Sequence, residues 1–389
     1  MKKLTGLLLL SLASYNLNAQ SFIQAYQTRA NEVTQTNITS LLQEFESYGV
    51  KTSGSAANNN TLNWLKAKYQ TYGYSPSQIT EDSFTVNGNA TKNLIITKTG
   101  TVYPNTYIII CGHYDTIVGP GVSDNGSGTS ILLEAARILK DVPTEYSIKF
   151  IHFSGEEQGL VGSYHYVNNV VFQNGTRQMD IRLVFNIDQV GGKFSAPSNS
   201  VKCESDQSGL PGNNATSLSF TQQLAACTTL YSPLQTVMSN AYSSDYVPFE
   251  GKGDIITGFY ETPQSQNEHT ANDTFANVDP TYVFKVGKAA VGALQHFAIA
   301  SSVLATHETN SNLLEDIKIY PNPAKDILNL DIPKEIKKFS FEIKDMSGRL
   351  LSVHENEKTI NVSKLSSGVY LCTVKSDGET VTKKVIIEK

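Results

Sequence analysis

Two nearly continuous apolar segments, separated by one helical segment, constrain the fold of this chain more than any other feature. The segments "YIIICG" and "SIKFIHFS" are typical of strands that are buried on both faces of a sheet. Between them, "SGTSILLEAARILKDV" has apolar residues at the spacing of a helix, with Ser127 or Ser130 as the expected N-cap. A strand, a helix and a second strand at this spacing predict a βαβ unit.

The same kind of pattern continues on both sides of this unit. Helical spacing indicates helices at residues 38–48 and 61–72, whereas "IRLVFNID" indicates a third buried strand. Further helices are expected at "QGLVGSYHYVNNV", "SLSFTQQLAACTTL" and "YVFKVGKAAVGALQHFAIA". We therefore expect residues 20–305 to form a single α/β domain, with three layers (α/β/α) and a mixed, mostly parallel central sheet.

Composition changes near residue 305. The polar segment "ATHETNSNLLED" indicates a linker, which we place at residues 306–314. Short apolar stretches separated by Pro, Gly, Ser and Asp follow, among them "IKIYPNPAKDILNLDI" and "FSFEIKDMSGRLL". This pattern predicts a small β-sandwich over residues 315–389. Because this module has no acid-rich or histidine cluster, we expect no catalytic chemistry there.

The N-terminus has the features of a secretory signal peptide, which we assign to residues 1–19. Two lysines precede the apolar segment Leu7–Leu12, and Ala19 is a suitable small residue before the cleavage point. No later segment contains 18 consecutive apolar residues, so we expect the mature chain to be soluble, with no transmembrane segment.

Charge and cysteine content add two further expectations. The net charge is −5, whereas nucleic-acid-binding domains usually carry a basic stripe, so we expect no nucleic-acid partner. Export would permit Cys203 and Cys227 to pair. Cys111 lies in the apolar segment "TYIIICGHYD" and is expected to pack as a small core residue.

Acids and histidines of the first domain cluster at the ends of the predicted strands and in the loops beside them. In open α/β sheets ligands bind at the carboxyl ends of the strands, so these residues are expected to meet in one crevice. Imidazole and carboxylate groups are also the ligands of zinc in hydrolytic sites. The residues in question are His113, Asp115, Asp124, Glu156, Glu157, Asp188 and His269.

Five of these side chains form a candidate ligand set: His113, Asp124, Glu157, Asp188 and His269. One catalytic zinc ion uses three protein ligands, so a set of five fits two ions that share a carboxylate. Asp124 is the best candidate for the shared ligand, because the glycines of "GPGVSDNGSG" let the backbone turn sharply into the site. His152 is not a candidate ligand, because it lies inside the strand "KFIHFS".

Five ordered motifs carry a family resemblance. "GHYDT", "GVSDNGSGT", "FSGEEQGLVGS", "FNIDQVG" and "NEHTANDTF" resemble the motifs of the secreted zinc aminopeptidases of metallopeptidase family 28 (clan MH), over most of residues 40–300. The resemblance implies the zinc exopeptidase fold and two Zn²⁺ ions per chain. It implies that one ion is held by His113, Asp124 and Asp188, and the other by Asp124, Glu157 and His269.

The resemblance also implies roles for residues that do not bind metal. Glu156 would be the general acid/base, acting on a water that bridges the two ions. Asp115 would orient the imidazole of His113. A cis peptide bond is expected after Asp124, before Asn125.

A tyrosine hydroxyl that assists in the family has Tyr242, in "NAYSSDYVPF", as its candidate here. The spacing from this tyrosine to the "SD" pair is one residue shorter than in the relatives. Tyr246 is therefore a competing candidate, and packing is the ordinary role for either residue.

The C-terminal module resembles the sorting domain of proteins that are exported by the type IX secretion system. The resemblance rests on "YPNPAKDILNL", "DMSGRLL", "LSSGVYL" and "KKVIIEK", in that order. It implies passage across the outer membrane and contact with the secretion machinery, so the protein is expected to be secreted or held at the cell surface. A carbohydrate-binding or adhesive β-module is the alternative.

The leading function is an exported di-zinc exopeptidase, an aminopeptidase that releases N-terminal residues from peptides or proteins. The motifs specify zinc-dependent amide hydrolysis better than they specify which end of the peptide is cleaved. Carboxypeptidases of the same family and single-zinc glutaminyl cyclases of the same fold are therefore alternatives. A non-catalytic surface binding protein is a further alternative, against which the complete ligand set argues.

Overall fold

The computed structural model describes residues 20–192, 198–207, 213–303, 317–333, 336–345, 349–376 and 379–389. The chain divides into two compact units, one up to residue 304 and one from residue 305 onward. The expected signal peptide (1–19) and linker (306–314) lie outside the described residues.

The first unit contains a mixed eight-stranded sheet with the strand order β1-β2-β4-β3-β7-β10-β8-β9, and a separate hairpin formed by β5 and β6. Among the described strands of the sheet, the pairs β4/β3, β3/β7, β7/β10 and β8/β9 are parallel, and the other pairs are antiparallel. The strands are β1 (Ile79–Val86), β2 (Asn89–Lys98), β3 (Tyr103–His113), β4 (Tyr146–Phe153), β5 (Phe172–Gln173), β6 (Thr176–Arg177), β7 (Asp180–Ile187), β8 (Ser200–Ser205), β9 (Gln235–Asn240) and β10 (Ile256–Thr262).

The register of the central strands brings their carboxyl ends to one edge of the sheet. His113, the last residue of β3, pairs with Phe153, the last residue of β4. On the other side, Ile187 at the end of β7 pairs with Phe259 of β10. Loops that follow these parallel strands therefore emerge side by side, which is where α/β sheets bind ligands.

Helices cover both faces of the sheet. Successive side chains of a strand point to opposite faces, so each strand contributes to an apolar core on either side. Ile108 and Ile110 of β3 belong to one core cluster, whereas Ile109 and Cys111 belong to another. The first cluster contains residues of α1, α2, α3, α4, α6 and α8, and the second contains residues of α5 and α7. The helices are α1 (Gln24–Ala30), α2 (Gln35–Ser47), α3 (Ala56–Thr71), α4 (Gly126–Leu139), α5 (Val161–Tyr166), α6 (Asn214–Tyr231), α7 (Val247–Glu250) and α8 (Pro280–Phe297). The predicted three-layer α/β/α fold is confirmed.

The start of α4 differs from the prediction. Its N-cap is Asn125, whose side-chain oxygen accepts a hydrogen bond from the N–H of Gly128 at 2.8 Å. Ser127 and Ser130 lie inside the helix, and their hydroxyls donate to main-chain carbonyls one turn earlier. Asparagine and serine are about equally good N-caps, so the apolar spacing did not distinguish Asn125 from the serines, and the predicted N-cap is wrong.

Two further predictions are refined. The segment predicted as one helix after β4 is α5 followed by a π-helical turn at Val167–Val171. Cys203 and Cys227 are buried free thiols in the structure, and Cys111 is a buried core residue, as expected.

The second unit consists of two antiparallel sheets, with the strand orders β11-β12-β15 and β14-β13-β16-β17. Leu328 and Ile360 from the first sheet pack in one core with Phe341 and Val374 from the second, as in a β-sandwich. The strands are β11 (Lys318–Tyr320), β12 (Ile327–Asp331), β13 (Ser340–Lys344), β14 (Leu350–Glu355), β15 (Thr359–Asn361), β16 (Gly368–Ser376) and β17 (Glu379–Ile387). In neither unit does the described part of the chain include a helix that is long and apolar enough to cross a bilayer.

Candidate metal centre

The loops at the carboxyl edge of the central sheet carry the acids and histidines that the sequence analysis selected. His113 ends β3, and Asp188 directly follows β7. Glu156 and Glu157 lie in the turn between β4 and α5, and Asp124 lies in the loop before α4. His269 belongs to the loop between β10 and α8.

His113, Asp124 and Asp188 form a first group of potential metal ligands, and all three residues are buried. Nε2 of His113 lies 3.0 Å from Oδ1 of Asp124 and 3.3 Å from Oδ1 of Asp188. The other ring nitrogen, Nδ1, lies 3.1 Å from the main-chain oxygen of Asp115, which can only accept a hydrogen bond. Nε2 therefore faces carboxylate oxygens, an arrangement that requires a proton or a metal ion between them.

Asp124, Glu157 and His269 form a second group. Nε2 of His269 lies 3.2 Å from Oδ2 of Asp124 and 2.9 Å from Oε2 of Glu157. The two carboxylate oxygens of Asp124 are thus divided between the histidines, with Oδ1 toward His113 and Oδ2 toward His269. Because the His269 side chain is 54% exposed, the second group is open to solvent, whereas the first is not.

The backbone adopts uncommon conformations at His269 and in the loop that carries Asp124. His269 has a φ of 55°, in the left-handed region that non-glycine residues seldom occupy. Gly121 has a φ of 65°, and a Cβ there would lie 2.4 Å from the main-chain oxygen of Asp124, so only glycine fits. The peptide bond between Asp124 and Asn125 is cis, as predicted.

The turn between β4 and α5 directs two consecutive carboxylates to different places. It begins at Gly155, whose φ of 78° suits glycine. Oε2 of Glu156 lies 3.9 Å from Nε2 of His113, whereas Oε2 of Glu157 lies 2.9 Å from Nε2 of His269. Glu156 therefore lies beside the first group without belonging to it, and Glu157 belongs to the second.

Asp115 supports this turn as well as His113. Its Oδ1 accepts a hydrogen bond of 3.2 Å from the N–H of Glu156, and its Oδ2 accepts one of 3.3 Å from the Ser53 hydroxyl. The carboxylate lies 3.7 Å from Nδ1 of His113, farther than its own main-chain oxygen. The predicted contact to His113 is thus made by the main chain of Asp115, and its carboxylate mainly holds the Glu156 turn.

Burial and the crowding of acids shift the ionisation of the site. Burial raises the pKa of Glu156 well above its usual range, and the nearby charge of Asp188 adds to this effect. Burial, followed by the charge of Asp124, raises the pKa of Glu157 to about 8. The hydrogen bond to Asp124 raises the pKa of His269 to about 9. Each shift favours binding of positive charge, as expected where several carboxylates share few cations.

Asp188 provides the clearest test of whether the residues suit a metal ion. Its Oδ2 accepts hydrogen bonds from the hydroxyls of Tyr242 at 2.9 Å and Ser244 at 2.6 Å. Its Oδ1 is buried, has no hydrogen-bond partner of ordinary geometry among the described residues, and faces His113. An oriented carboxylate with one oxygen left free, next to an imidazole nitrogen, is a ligand pair that zinc accepts. Both groups of residues therefore fit zinc.

The two candidate tyrosines occupy different positions. The Tyr242 hydroxyl lies 2.9 Å from both the carboxylate and the main-chain oxygen of Asp188, so it adjoins the first group. The Tyr246 hydroxyl instead donates to Oε2 of Glu204 at 2.9 Å and accepts from the N–H of Tyr242 at 2.7 Å. Tyr246 is a buried residue that supports Tyr242 from behind, so only Tyr242 is near the potential ligands.

Two residues beside the first group, Ser244 and Asp245, were not predicted from the sequence. Ser244 donates to Asp188, as described above, and to it Asn186 donates a hydrogen bond of 2.8 Å. Asp245 is completely buried, and burial raises its pKa to about 7, while its charge acts on Glu156 and His113. The signal for them in the sequence is the "SD" pair after Tyr242, which has no strand end or histidine beside it to indicate a site.

His152, which the sequence analysis excluded, lies away from both groups. It is buried in β4, and its Nε2 lies 2.7 Å from the hydroxyl of Tyr69 on α3. Burial lowers the pKa of His152 to about 3, so the ring is neutral at ordinary pH.

Comparison with protein families places two matches on the chain. Residues 93–294 match Peptidase family M28, and residues 318–388 match the Secretion system C-terminal sorting domain. Aminopeptidase YwaD of Bacillus subtilis is 31% identical over 190 residues, which cover 43% of this chain and 37% of that protein. The chain spans less than half the length of the curated relatives that it matches.

Solved structures with the same fold include two enzymes of different activity. The aminopeptidase LapA of Legionella pneumophila has a TM-score of 0.62 at 22% identity, covering 78% of this chain and 81% of its own. The glutaminyl cyclase of Macrostomum lignano has a TM-score of 0.61 at 16% identity, covering 72% and 94% respectively. At these identities the likeness shows the fold alone.

Proposed function

Because the chain belongs to Peptidase family M28, we propose that it is an exported di-zinc exopeptidase that releases residues from the N-terminus of peptides. The observation that carries this proposal is the division of the Asp124 carboxylate between two groups of ligands, with Glu156 beside the first group. Asp124 would thus be the carboxylate that two metal ions share, as in two-metal hydrolytic sites.

The ligand assignment follows the two groups. His113, Asp124 and Asp188 would hold one zinc ion, and Asp124, Glu157 and His269 the other. Zinc bound there supplies Lewis acidity, which polarises a carbonyl group and lowers the pKa of water.

Glu156 is the proposed general acid/base. It is the one carboxylate of the turn that stays off the ligand groups, at 3.9 Å from Nε2 of His113. Burial raises its affinity for a proton, so its carboxylate form would accept the proton of the attacking water and then, as the carboxylic acid, pass it to the leaving amine. Asp115 holds the main chain of Glu156 and orients His113, while Tyr242 holds Asp188.

Action at the amino end is supported by the charges around the turn. The ionisable groups that act most strongly on Glu156 and Glu157 are carboxylates and the two histidines of the centre. No lysine or arginine is among these groups, and a terminal carboxylate would need such a partner. This observation favours an aminopeptidase over a carboxypeptidase.

The C-terminal sorting domain indicates export, and we propose that the type IX secretion machinery recognises it and delivers the enzyme to the cell surface or medium. The proposed signal peptide at residues 1–19 would direct the first step of export. Peptides and proteins outside the cytoplasm would then be the substrates.

The test uses purified full-length protein and pairs of peptides that differ only in N-terminal acetylation. We expect the free peptides to lose their first residue, the acetylated ones to resist cleavage, and a zinc chelator to abolish the reaction. Cleavage of acetylated peptides from the carboxyl end would contradict the proposal.

A glutaminyl cyclase is the second candidate, because its fold is shared. The presence of His113 and Asp188 as a complete first group favours two ions over one. A peptide that begins with glutamine distinguishes the two: a cyclase releases ammonia and keeps the peptide intact, whereas an aminopeptidase releases glutamine. Metal analysis of the saturated protein should find two zinc ions per chain, and one ion would favour the cyclase.

A further inference from the structure

A carboxylate outside the proposed ligand set connects the two loops that carry Asp124 and His269. Oδ1 of Asp273 accepts a hydrogen bond of 2.7 Å from the N–H of Ser123, and Oδ2 accepts one of 3.0 Å from the N–H of Asp124. Asp273 is only 2% exposed, so water does not compete for these bonds. The two oxygens of one carboxylate thus accept from consecutive amides of the loop that carries Asp124, the proposed shared ligand.

The main chains of the same two loops are also in direct contact. The N–H of Val122 donates to the main-chain oxygen of Asp273 at 3.2 Å. A Cβ on Gly119 would lie 2.1 Å from the main-chain oxygen of Thr270, so a side chain there would force the loops apart. His269 directly precedes Thr270, and the contact therefore fixes where Asp124 and His269, two of the three ligands of the second group, meet.

A buried lysine lies behind this junction. Lys51 is completely buried, and its ammonium group donates to the main-chain oxygens of Gly49 and Pro120, each at 2.7 Å. The acids whose charges act on this ammonium group are Asp273 and Glu46. Pro120 belongs to the loop that carries Asp124, so Lys51 also anchors that loop.

We infer that Asp273 is a positioning residue for the metal centre: it fixes the loop of Asp124 against the loop of His269 and so sets the metal affinity of the second group. The inference rests on the proposed function, because it assigns the second group to a metal ion. This role requires Asp273 to accept two hydrogen bonds and to link the two loops rigidly. One substitution can remove both properties. Residues that orient ligands in this way typically change metal affinity by 10–100-fold.

The test compares Asp273→Asn with wild type in the full-length protein. An asparagine has nearly the same shape, but its NH₂ group would face one of the two N–H donors. Apo protein is titrated with Co²⁺ alone, and binding is followed by the visible absorption of the bound ion. We expect the affinity of Asp273→Asn for Co²⁺ to fall by about 10–100-fold at one of two sites, with an altered absorption spectrum.

Asp279→Asn is the matched control. Asp279 also accepts from two main-chain amides, those of Thr281 and Tyr282, but these belong to the first turn of α8 and not to the loop of Asp124. Asp279→Asn should leave Co²⁺ affinity and spectrum unchanged, because asparagine keeps the Oδ1 acceptor and caps a helix about as well as aspartate. A purely structural role of Asp273 would give this same result for Asp273→Asn and would overturn the inference.

Hydrogen exchange of the apo protein gives a second measurement that needs no metal. The amides of Ser123 and Asp124 should exchange faster in Asp273→Asn than in wild type, and wild-type protection in the variant would overturn the inference. If Asp273→Asn does not fold, Asp273→Ser, which is smaller, carries the same comparison. Wild-type protein that binds no Co²⁺ would refute the proposed function, whereas equal binding by wild type and variant would refute only the role of Asp273.

Discussion

Glu156 and Glu157 are consecutive in the chain, yet their carboxylates approach different histidines: Glu156 lies 3.9 Å from Nε2 of His113, and Glu157 lies 2.9 Å from Nε2 of His269. The turn that follows β4 separates them, and the two side chains therefore have different neighbours. Adjacent acids with different neighbours predict two different mutant phenotypes.

For Glu156→Gln we expect two zinc ions to remain bound and the turnover number on aminoacyl anilides to fall by about 10²–10⁴-fold. Glutamine keeps the size of the side chain but cannot accept a proton, and general acid/base catalysis contributes a factor of this order. Zinc content by elemental analysis and steady-state kinetics measure the two effects. A variant with wild-type rates would show that Glu156 is not the base.

For Glu157→Ala we expect the zinc content, at a zinc concentration that saturates wild type, to fall from two ions per chain to one. The substitution removes the carboxylate that lies nearest to His269, and a site with two remaining ligands holds zinc poorly. Activity should fall with the loss of the ion, and raising the zinc concentration should recover part of it. Glu156→Gln is the matched control, since it changes a neighbouring acid without removing a ligand.

For Tyr242→Phe we expect weaker metal binding, by about 10–100-fold, and activity that recovers when zinc is in excess. The Tyr242 hydroxyl bonds to the main-chain oxygen and to Oδ2 of Asp188. Its loss therefore lets a proposed ligand move. Rates that stay 10²–10³-fold low at saturating zinc would instead indicate that the hydroxyl stabilises the transition state directly.

Tyr246→Phe serves as the control for that experiment. It leaves the buried carboxylate of Glu204 without the donor it has in the structure, so it should destabilise the fold by about 1–3 kcal/mol. Its metal affinity should stay closer to that of wild type than the affinity of Tyr242→Phe does, because the Tyr246 hydroxyl bonds to Tyr242 and Glu204 and not to a proposed ligand.

Because His152 is buried, we expect the free energy of unfolding to fall in acid, whether or not metal is bound. Burial lowers its folded-state pKa to about 3, below the usual value of about 6.5, so between these values only the unfolded chain takes up the proton. The resulting stability is complete above pH 6.5 and is lost as the pH falls toward 3, with a slope of up to about 1.4 kcal/mol per pH unit.

The measurement is the free energy of unfolding against pH, in the presence of chelator, for wild type and His152→Gln. We expect the difference between the two curves to shrink or reverse as the pH falls through this range, because the variant cannot bind the proton. Parallel curves would show that His152 titrates normally in the folded protein.

The apolar segments identified the strands, and the strands located the site. Segments such as "YIIICG" can be predicted as strands because a strand buried on both faces needs a continuous apolar sequence. The residue at which the apolar segment stops then predicts where the strand ends. His113 and Asp188 could be selected in this way. The N-cap of α4 could not, because Asn125, Ser127 and Ser130 are all chemically able to cap a helix.

The amino-acid order alone was enough to predict which acids and histidines stand at strand ends and that two different modules follow one another. It was not enough to predict which oxygen of Asp124 lies nearer to which histidine, that Tyr242 and not Tyr246 contacts Asp188, or that Asp273 links two loops. The physical reason is range. Apolar periodicity is local and is written in consecutive residues, whereas each of these hydrogen bonds joins residues that only the packing of the sheet and its loops brings together.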